Sequence, residues 1–255
     1  MDNTVLRNKV VLITGCTGGI GQATARALAA LGCHIAVHHS SEPSKLKAQA
    51  LVSELLELNV RAACFQADLS TYEATKQLYD EVVASLGHPD ILFGNHGATI
   101  KTIGPLGDIG SISPEMFEQT WRLNTGTNFY LAQLCIPHME KQKWGRIILT
   151  SSVAALNGGV IGPHYASSKS AMHGLIHWLS LRYCKDGILS NAIAPALIED
   201  TAMMSNPTDE IRSKIPIGRL GKPDEIASIV VMLVTNGYMT NKVIVADGGW
   251  TTGGI

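Results

Sequence analysis

Tyr165 and Lys169 stand four residues apart, and Ser152 lies upstream of both. On a helix, a four-residue step brings two side chains onto one face about one turn apart, so the lysine ammonium can sit beside the tyrosine hydroxyl. A phenol with a reference pKa of about 10 is a poor acid or base near neutrality, but a neighbouring cation favours its phenolate. The pair therefore reads as an activated general acid/base, set against the alternative of an incidental helix pair. His164 is adjacent to Tyr165 and would point away from it on a helix, which favours packing over catalysis. His173 and His177 also share a helical face, but the intervening Gly174-Leu175-Ile176 lacks the glutamate of an H-E-x-x-H site, so no metal is expected.

A glycine loop, T-G-C-T-G-G-I-G at Thr14 to Gly21, follows the apolar run Val10 to Ile13 and opens the helical pattern Ile20 to Leu31. Gly15, Gly19 and Gly21 let the backbone turn and approach a pyrophosphate, whose charge a helix N-terminus favours. A tight strand-to-helix connection is the bland alternative. The spacing here is G-x-x-x-G-x-G, which differs from the commonest dinucleotide fingerprint.

The elements that would carry these residues alternate. Val10 to Ile13, Ile35 to His38, Ala62 to Gln66, Ile91 to Gly94, Ile147 to Thr150, Leu189 to Ile193 and Val243 to Ala246 read as strands, with longer amphipathic segments between them. Parallel neighbours need crossover connections, so the expected fold is α/β: a single-domain, Rossmann-like, doubly wound parallel sheet of about seven strands with helices on both faces. The one domain would span residues 1–255. Two irregular stretches, His96 to Ser113 and Ala196 to Pro223, exceed ordinary connections and read as binding loops or as plain surface excursions; the substrate loop is expected near 196–223.

Composition narrows the partners. A 45% hydrophobic, 16% charged chain with a net charge of −1 and no charge blocks offers no footprint for nucleic acid or an anionic membrane surface. No apolar stretch approaches the roughly 18 residues of a membrane span, and residues 1–7 lack a signal core. Cys16, Cys33, Cys64, Cys135 and Cys184 form no C-x-x-C pair and read as reduced thiols, so a cytoplasmic protein acting on a small molecule is expected.

With Gly15, Gly19, Gly21, Ser152, Tyr165 and Lys169 assembled, the chain resembles the short-chain dehydrogenase/reductases along nearly its whole length. The resemblance also rests on Asp68-Leu69, D-I-L-F-G-N-H-G at Asp90 to Gly97, Asn124, N-A-I-A-P at Asn191 to Pro195, I-P-I-G-R-L-G-K-P-D-E-I-A at Ile215 to Ala227 and A-D-G-G-W at Ala246 to Trp250. It implies an NAD(P)(H)-dependent oxidoreductase interconverting a ketone and a secondary alcohol, similar to 3-oxoacyl thioester reductases. Tyr165 would then donate the proton, and Ser152 would orient the substrate oxygen. Lys169 would stabilise the phenolate and hold the nicotinamide ribose, and Asn124 would support a water linking Lys169 to solvent. The resemblance further implies Asp68 beside the adenine, Asn95 supporting the central strand and Thr201 near the carboxamide. Thr17, Ile20, Leu69, Gly97, Pro195 and Ile198 would complete the nucleotide site with Tyr165 and Lys169.

Three departures from the family pattern stand out. Its N-N-A-G is G-N-H-G here, so Gly94 and His96 replace an amide and a methyl, which either widens the pocket or adjusts packing. Its Pro-Gly is Pro195-Ala196, and an additional residue precedes Thr201. At the end of the second strand an acidic residue would accept hydrogen bonds from a free ribose 2′-hydroxyl and repel a 2′-phosphate. The chain reads A-V-H-H-S-S-E there, with His39 near that position and Ser40 and Ser41 able to donate to phosphate. NADP(H) is thus favoured over NAD(H), although Gly18 stands where phosphate-selective members carry a cation. Surface histidines with no such role are the alternative.

A reductase dedicated to acyl carrier protein would present basic residues to its acidic partner. Lys143 keeps one such position, but Asp186 places the opposite charge at another, which shifts weight toward free ketones, diketones or secondary alcohols. The resemblance also implies a homotetramer built on the helices around Asn124 to Lys143 and Tyr165 to Tyr183 and on the C-terminal strand; burial of those helices within one subunit is the alternative. A non-catalytic NAD(P)-sensing protein is the rival of another class, disfavoured because Asn124, Ser152, Tyr165 and Lys169 are all present.

Overall fold

The computed structural model describes residues 6–201 and 215–251. Seven strands form one parallel sheet: β1 (Val10–Ile13), β2 (His34–His39), β3 (Ala62–Gln66), β4 (Ile91–Gly94), β5 (Gly145–Thr150), β6 (Ile188–Pro195) and β7 (Val243–Ala246), in the order β3-β2-β1-β4-β5-β6-β7. Strands buried on both faces need apolar residues at consecutive positions rather than alternating ones. The V-V-L-I of β1 supplies them and is buried throughout.

Alternate residues of each strand feed opposite cores. Val11 and Ile13 pack with Leu28 of α1 (Gly19–Ala30), Leu51 of α2 (Glu42–Leu56) and Val230 of α8 (Pro223–Thr235). Leu12 and Leu92 face the other way, onto Leu78 of α3 (Tyr72–Leu86), Leu131 of α5 (Thr127–Gln142) and Met172 of α7 (Pro163–Tyr183). Helices therefore cover both faces, as the alternating pattern predicts. Two shorter helices, α4 (Pro114–Trp121) and α6 (Ala154–Asn157), lie beside the site described below, and a π turn, Arg122–Gly126, joins α4 to α5.

The chain winds outward from β1 to β3, then returns to add β4 on the other side of β1. The loops leaving β1 and β4 consequently part at their carboxyl ends and open a crevice, which is where an open α/β sheet binds ligands. The opposite end is latched. Asp90, just before β4, accepts from the Val10 amide at 2.8 Å, the Lys9 ammonium at 3.0 Å and the Gln142 amide at 2.6 Å. No described helix is long and apolar enough to cross a membrane. On α5 and α7, Phe129, Trp178 and Leu181 remain exposed.

Candidate active site

A cavity of about 940 Å³ occupies the crevice. Helix α7 brings Tyr165 and Lys169 onto one buried face, with the lysine nitrogen 5.7 Å from the tyrosine ring centre. Lys169 Nζ donates to the Thr150 carbonyl at 2.8 Å, which ties the helix to the end of β5. Ser152 follows that strand; its Oγ accepts from the Ala154 amide at 3.1 Å, so its own proton is free to be given toward the cavity. Ser152, Tyr165 and Lys169 all line the space.

Burial dominates the electrostatics. It pushes the Tyr165 phenol up to about 12, with the Ser152 hydroxyl pulling the other way, and it pushes the Lys169 ammonium down to about 7. The sequence pattern predicts a phenol lowered by its lysine neighbour. In the folded protein the same burial drives the lysine toward its uncharged form and so weakens the expected effect. Tyr165 is thereby kept as a protonated donor.

Asn124 is fully buried on the π turn and does not line the cavity. Its Oδ1 accepts from the Ala98 amide at 2.8 Å, and its Nδ2 donates to the Ala98 carbonyl at 3.0 Å and to Ser168 Oγ at 3.0 Å. The loop after β4 and helix α7 are thus joined through one side chain. Gly97 lies between this amide and the lysine: a Cβ there would stand 3.0 Å from Lys169 Nζ and 3.4 Å from Asn124 Oδ1.

The structure resolves the three sequence departures. A Cβ at Gly94 would collide with Asn128 Oδ1, so the missing side chain makes room for Asn128, whose Nδ2 donates to the Asn124 carbonyl at 2.7 Å; the pocket is filled there, not widened. His96 reaches the same turn, with Nε2 2.7 Å from the Leu123 carbonyl. Ala196 does not occupy the left-handed region, so glycine is not required, and its amide donates to the Ala246 carbonyl at 3.0 Å. Asp200, with φ of 56°, absorbs the additional residue before Thr201, which lines the cavity and donates to the Ile198 carbonyl at 2.8 Å.

The other half of the cavity begins at the glycine loop. Gly15 is left-handed, with φ of 58°, and Gly21 packs so closely that a Cβ would lie 2.7 Å from Cys16 Cα. Gly15, Gly19 and Ile20 line the space, whereas Thr17 and Gly21 shape the turn without lining it. Helix α1 has no side-chain cap and no acidic residue in its first turn, so its amide donors remain available to an anion. Asn95 lines the cavity and bonds the Thr14 and Gly15 carbonyls, both at 3.2 Å. Asp68, Leu69, Gly97, Pro195 and Ile198 line it as well.

At the tip of β2 the structure separates residues that sequence reasoning grouped. Ser40 lines the cavity, but His39 is buried, outside the lining, with Nδ1 donating to the Ser41 carbonyl at 3.1 Å. The residue beside the ligand space is His38, which was not predicted. Its Nδ1 accepts from the Gly15 amide at 3.0 Å and its Nε2 donates to the Ala67 carbonyl at 3.0 Å; burial pushes its imidazole down to about 4. Strand alternation was the available signal, since it sends positions 38 and 40 to one side and 39 to the other. Asn128 was likewise missed, although it stands four residues after Asn124 on one helical face.

The remaining candidates lie elsewhere. His164 is buried and donates from Nε2 to the Thr99 carbonyl at 3.0 Å, His173 Nε2 meets Ser151 Oγ at 2.8 Å, and His177 pairs with Asn241. Lys143 and Asp186 pair with each other at 2.6 Å, just before β5 and β6, at the end of the sheet opposite Ser152. Residues 202–214 of the expected substrate loop fall outside the described residues.

Uncapped helix amides, a glycine turn and a long cleft leading to Lys169 fit a dinucleotide. Comparison with known proteins agrees. The profile of the short chain dehydrogenase family matches residues 9–212. The 2-dehydro-3-deoxy-D-gluconate 5-dehydrogenase of Escherichia coli (strain K12) is 31% identical, over 96% of each chain. The 3-oxoacyl-acyl-carrier-protein reductase of Aquifex aeolicus is 32% identical, over 96% of this chain and 98% of its own. A crystal structure of an NADH-dependent reductase responsible for alginate metabolism superposes with a TM-score of 0.87 at 26% identity, covering 98% of this chain and 99% of that one.

Proposed function

The chain belongs to the short chain dehydrogenase family, whose members are NAD(P)-dependent oxidoreductases acting on CH-OH groups, and from that premise we propose that it is an NADPH-dependent carbonyl reductase for uncharged small molecules. The observation that carries this reading is the buried constellation of Ser152, Tyr165 and Lys169 at one end of a nucleotide-sized cleft. When bound, the nicotinamide supplies or takes the hydride. Ser152 donates a hydrogen bond to the substrate oxygen and holds it toward Tyr165. The protonated phenol of Tyr165 then gives its proton to that oxygen as the carbonyl becomes an alcohol, and takes it back in the reverse direction. Lys169, near neutrality in its own titration, serves the phenolate that remains, while Asn124 and Gly97 keep its surroundings open.

The substrate end supports an uncharged ligand. Thr99, Thr102, Asn157, Val160, Ile161 and Trp250 line it, and Lys169 and Asp68 are the charged lining groups among the described residues. Lys143 and Asp186 pair at the end of the sheet opposite Ser152, so neither presents a basic charge to a carrier protein at the mouth of this cavity, which favours free ketones and diketones over protein-bound thioesters. Preference for NADPH is supported by Ser40 at the cavity wall and by the absence of a carboxylate from the described lining at the tip of β2. The exposed Phe129, Trp178 and Leu181 support a homotetramer, and the five free thiols suit a reducing cytoplasm.

The test presents NADPH and NADH separately with diketones, 3-oxoacyl esters and simple ketones, and follows loss of the reduced nicotinamide. Turnover with NADPH is expected. Turnover with NADH alone would reverse the cofactor assignment, and cofactor binding without turnover of any carbonyl would make this a sensor of nucleotide rather than an enzyme.

A further inference from the structure

The π turn Arg122–Gly126 carries Asn124, and side chains hold two successive carbonyls of it. His96 Nε2 meets Leu123 O at 2.7 Å and Asn128 Nδ2 donates to Asn124 O at 2.7 Å, while the Thr127 hydroxyl gives its one proton chiefly to the Leu69 carbonyl outside the turn. A π turn departs from the α-helical hydrogen-bond ladder, so outside donors are well placed to stabilise it. Asn128 follows the turn on the same helical run. His96 alone reaches in from another element, the loop after β4.

The tautomer follows from the partners. A carbonyl can only accept, so Nε2 carries the hydrogen. On the other side, Nδ1 lies 2.8 Å from Thr14 Oγ1. That hydroxyl already accepts from the Asn95 amide at 3.0 Å and the His96 amide at 3.2 Å, which uses both lone pairs and leaves its proton to give. Nδ1 is therefore the acceptor. An unbroken chain of hydrogen bonds runs from the end of β1, through Thr14 and His96, to the turn that presents Asn124 to Ala98 and Ser168.

We infer that His96 is a positioning residue for the proton-handling end of the site: by holding the Leu123 carbonyl it fixes the π turn, and with it the place of the Asn124 amide beside Gly97 and Lys169. Asn128 and Gly94 belong to the same device, since the space vacated at Gly94 is what lets Asn128 brace the adjacent carbonyl. The burial of the ring, which pushes His96 down to about 3, agrees with an imidazole that must keep Nδ1 bare. The inference rests on the oxidoreductase reading only for its kinetic consequence.

Two variants separate the bonds. His96→Gln extends an amide to about the place of Nε2 and can still donate to Leu123 O, whereas His96→Asn reaches only the Thr14 side. Hydrogen exchange of the cofactor-free protein, read on peptides covering residues 122–128, needs no turnover. Faster exchange there in His96→Asn, near-wild-type exchange in His96→Gln and little change elsewhere are expected. In turnover, His96→Asn should lower kcat about tenfold, the loss of roughly one buried hydrogen bond, with the cofactor KM within about twofold, and His96→Gln should recover most of it. Unchanged exchange at 122–128, equal behaviour of the two variants, or a loss confined to cofactor KM would overturn the inference. A wild-type protein that turns over no carbonyl would instead defeat the oxidoreductase reading, and the exchange measurement would still decide the role of His96 in holding the turn.

Discussion

The two ends of the cleft are built differently. Around Lys169 and Asn124 the groups that present the site are each held by protein partners, the ammonium by Thr150, the amide by Ala98 and Ser168, the turn beneath by His96 and Asn128, although Asn128 Oδ1 and Thr150 Oγ1 find none among the described residues. Around the glycine loop and the tip of β2 the protein leaves donors open, with α1 uncapped and Gly18 and Ser40 exposed. Groups that must move a proton are fixed before a ligand arrives, so no reorganisation is needed at the moment of reaction. Groups that must accept an anion are left unpaired for it. The first end should answer substitutions in kcat, and the second in cofactor choice and affinity.

The sharpest division between the two ends comes from Tyr165→Phe. Removing the hydroxyl deletes the proton donor but no described hydrogen bond of the fold, so kcat should fall by about 10³-fold while cofactor binding and the melting temperature stay close to wild type. Retained turnover would break the assignment of the fixed end. Gly97→Ala tests the same end more gently. The added methyl would crowd Lys169 Nζ and Asn124 Oδ1 together without backbone strain, and a displacement of that order should cost about 10²-fold in kcat. An alanine variant as active as wild type would show that the gap between amide and ammonium has no part in catalysis.

At the open end, Ser40→Asp places a carboxylate where the lining is now a hydroxyl. It should repel a 2′-phosphate and accept from a 2′-hydroxyl, moving the NADPH-to-NADH ratio of kcat/KM by about tenfold toward NADH, with kcat on NADH unharmed. An unchanged ratio would mean that the tip of β2 does not read the ribose.

The ease of reading these regions from sequence differs for the same physical reason. The strands and the Tyr165–Lys169 face follow from local periodicity, and β1, β3, β4 and β7 begin and end where their apolar runs do. The supports of the fixed end depend on partners far apart in the chain: His96 to Leu123, Asn124 to Ser168, Lys169 to Thr150. Nothing in a window of sequence reports such pairings, and burial by distant elements reverses the local expectation for Tyr165. The assignment of His39 rather than His38 failed at a finer level, where the period of a strand would have chosen between neighbours.

The smallest expected effect joins the two ends, because His38 is a fixed group inside the open one. Its Nδ1 accepts from the Gly15 amide, so a proton on that nitrogen would cost the glycine loop a hydrogen bond, and burial pushes its imidazole from the usual 6.5 to about 4. Above pH 6.5 the ring is uncharged in both the folded and unfolded chain and its contribution is fully present. Between pH 6.5 and 4 the unfolded chain takes up a proton that the folded chain refuses, so stability falls with pH by up to about 1.4 kcal/mol per unit. His38→Asn offers Gly15 an acceptor but has no proton to gain. Denaturant unfolding at several pH values across that window should therefore show a flatter slope for the variant, by up to one proton, even where its stability near neutrality is lower. His96, pushed down to about 3, adds a second group of the same sign, and each ring charge disfavours the other, so the double variant His38→Asn with His96→Gln should flatten the slope further. A single variant that tracks the wild-type slope would place His38 in contact with solvent and make the glycine loop as loose as the rest of the open end.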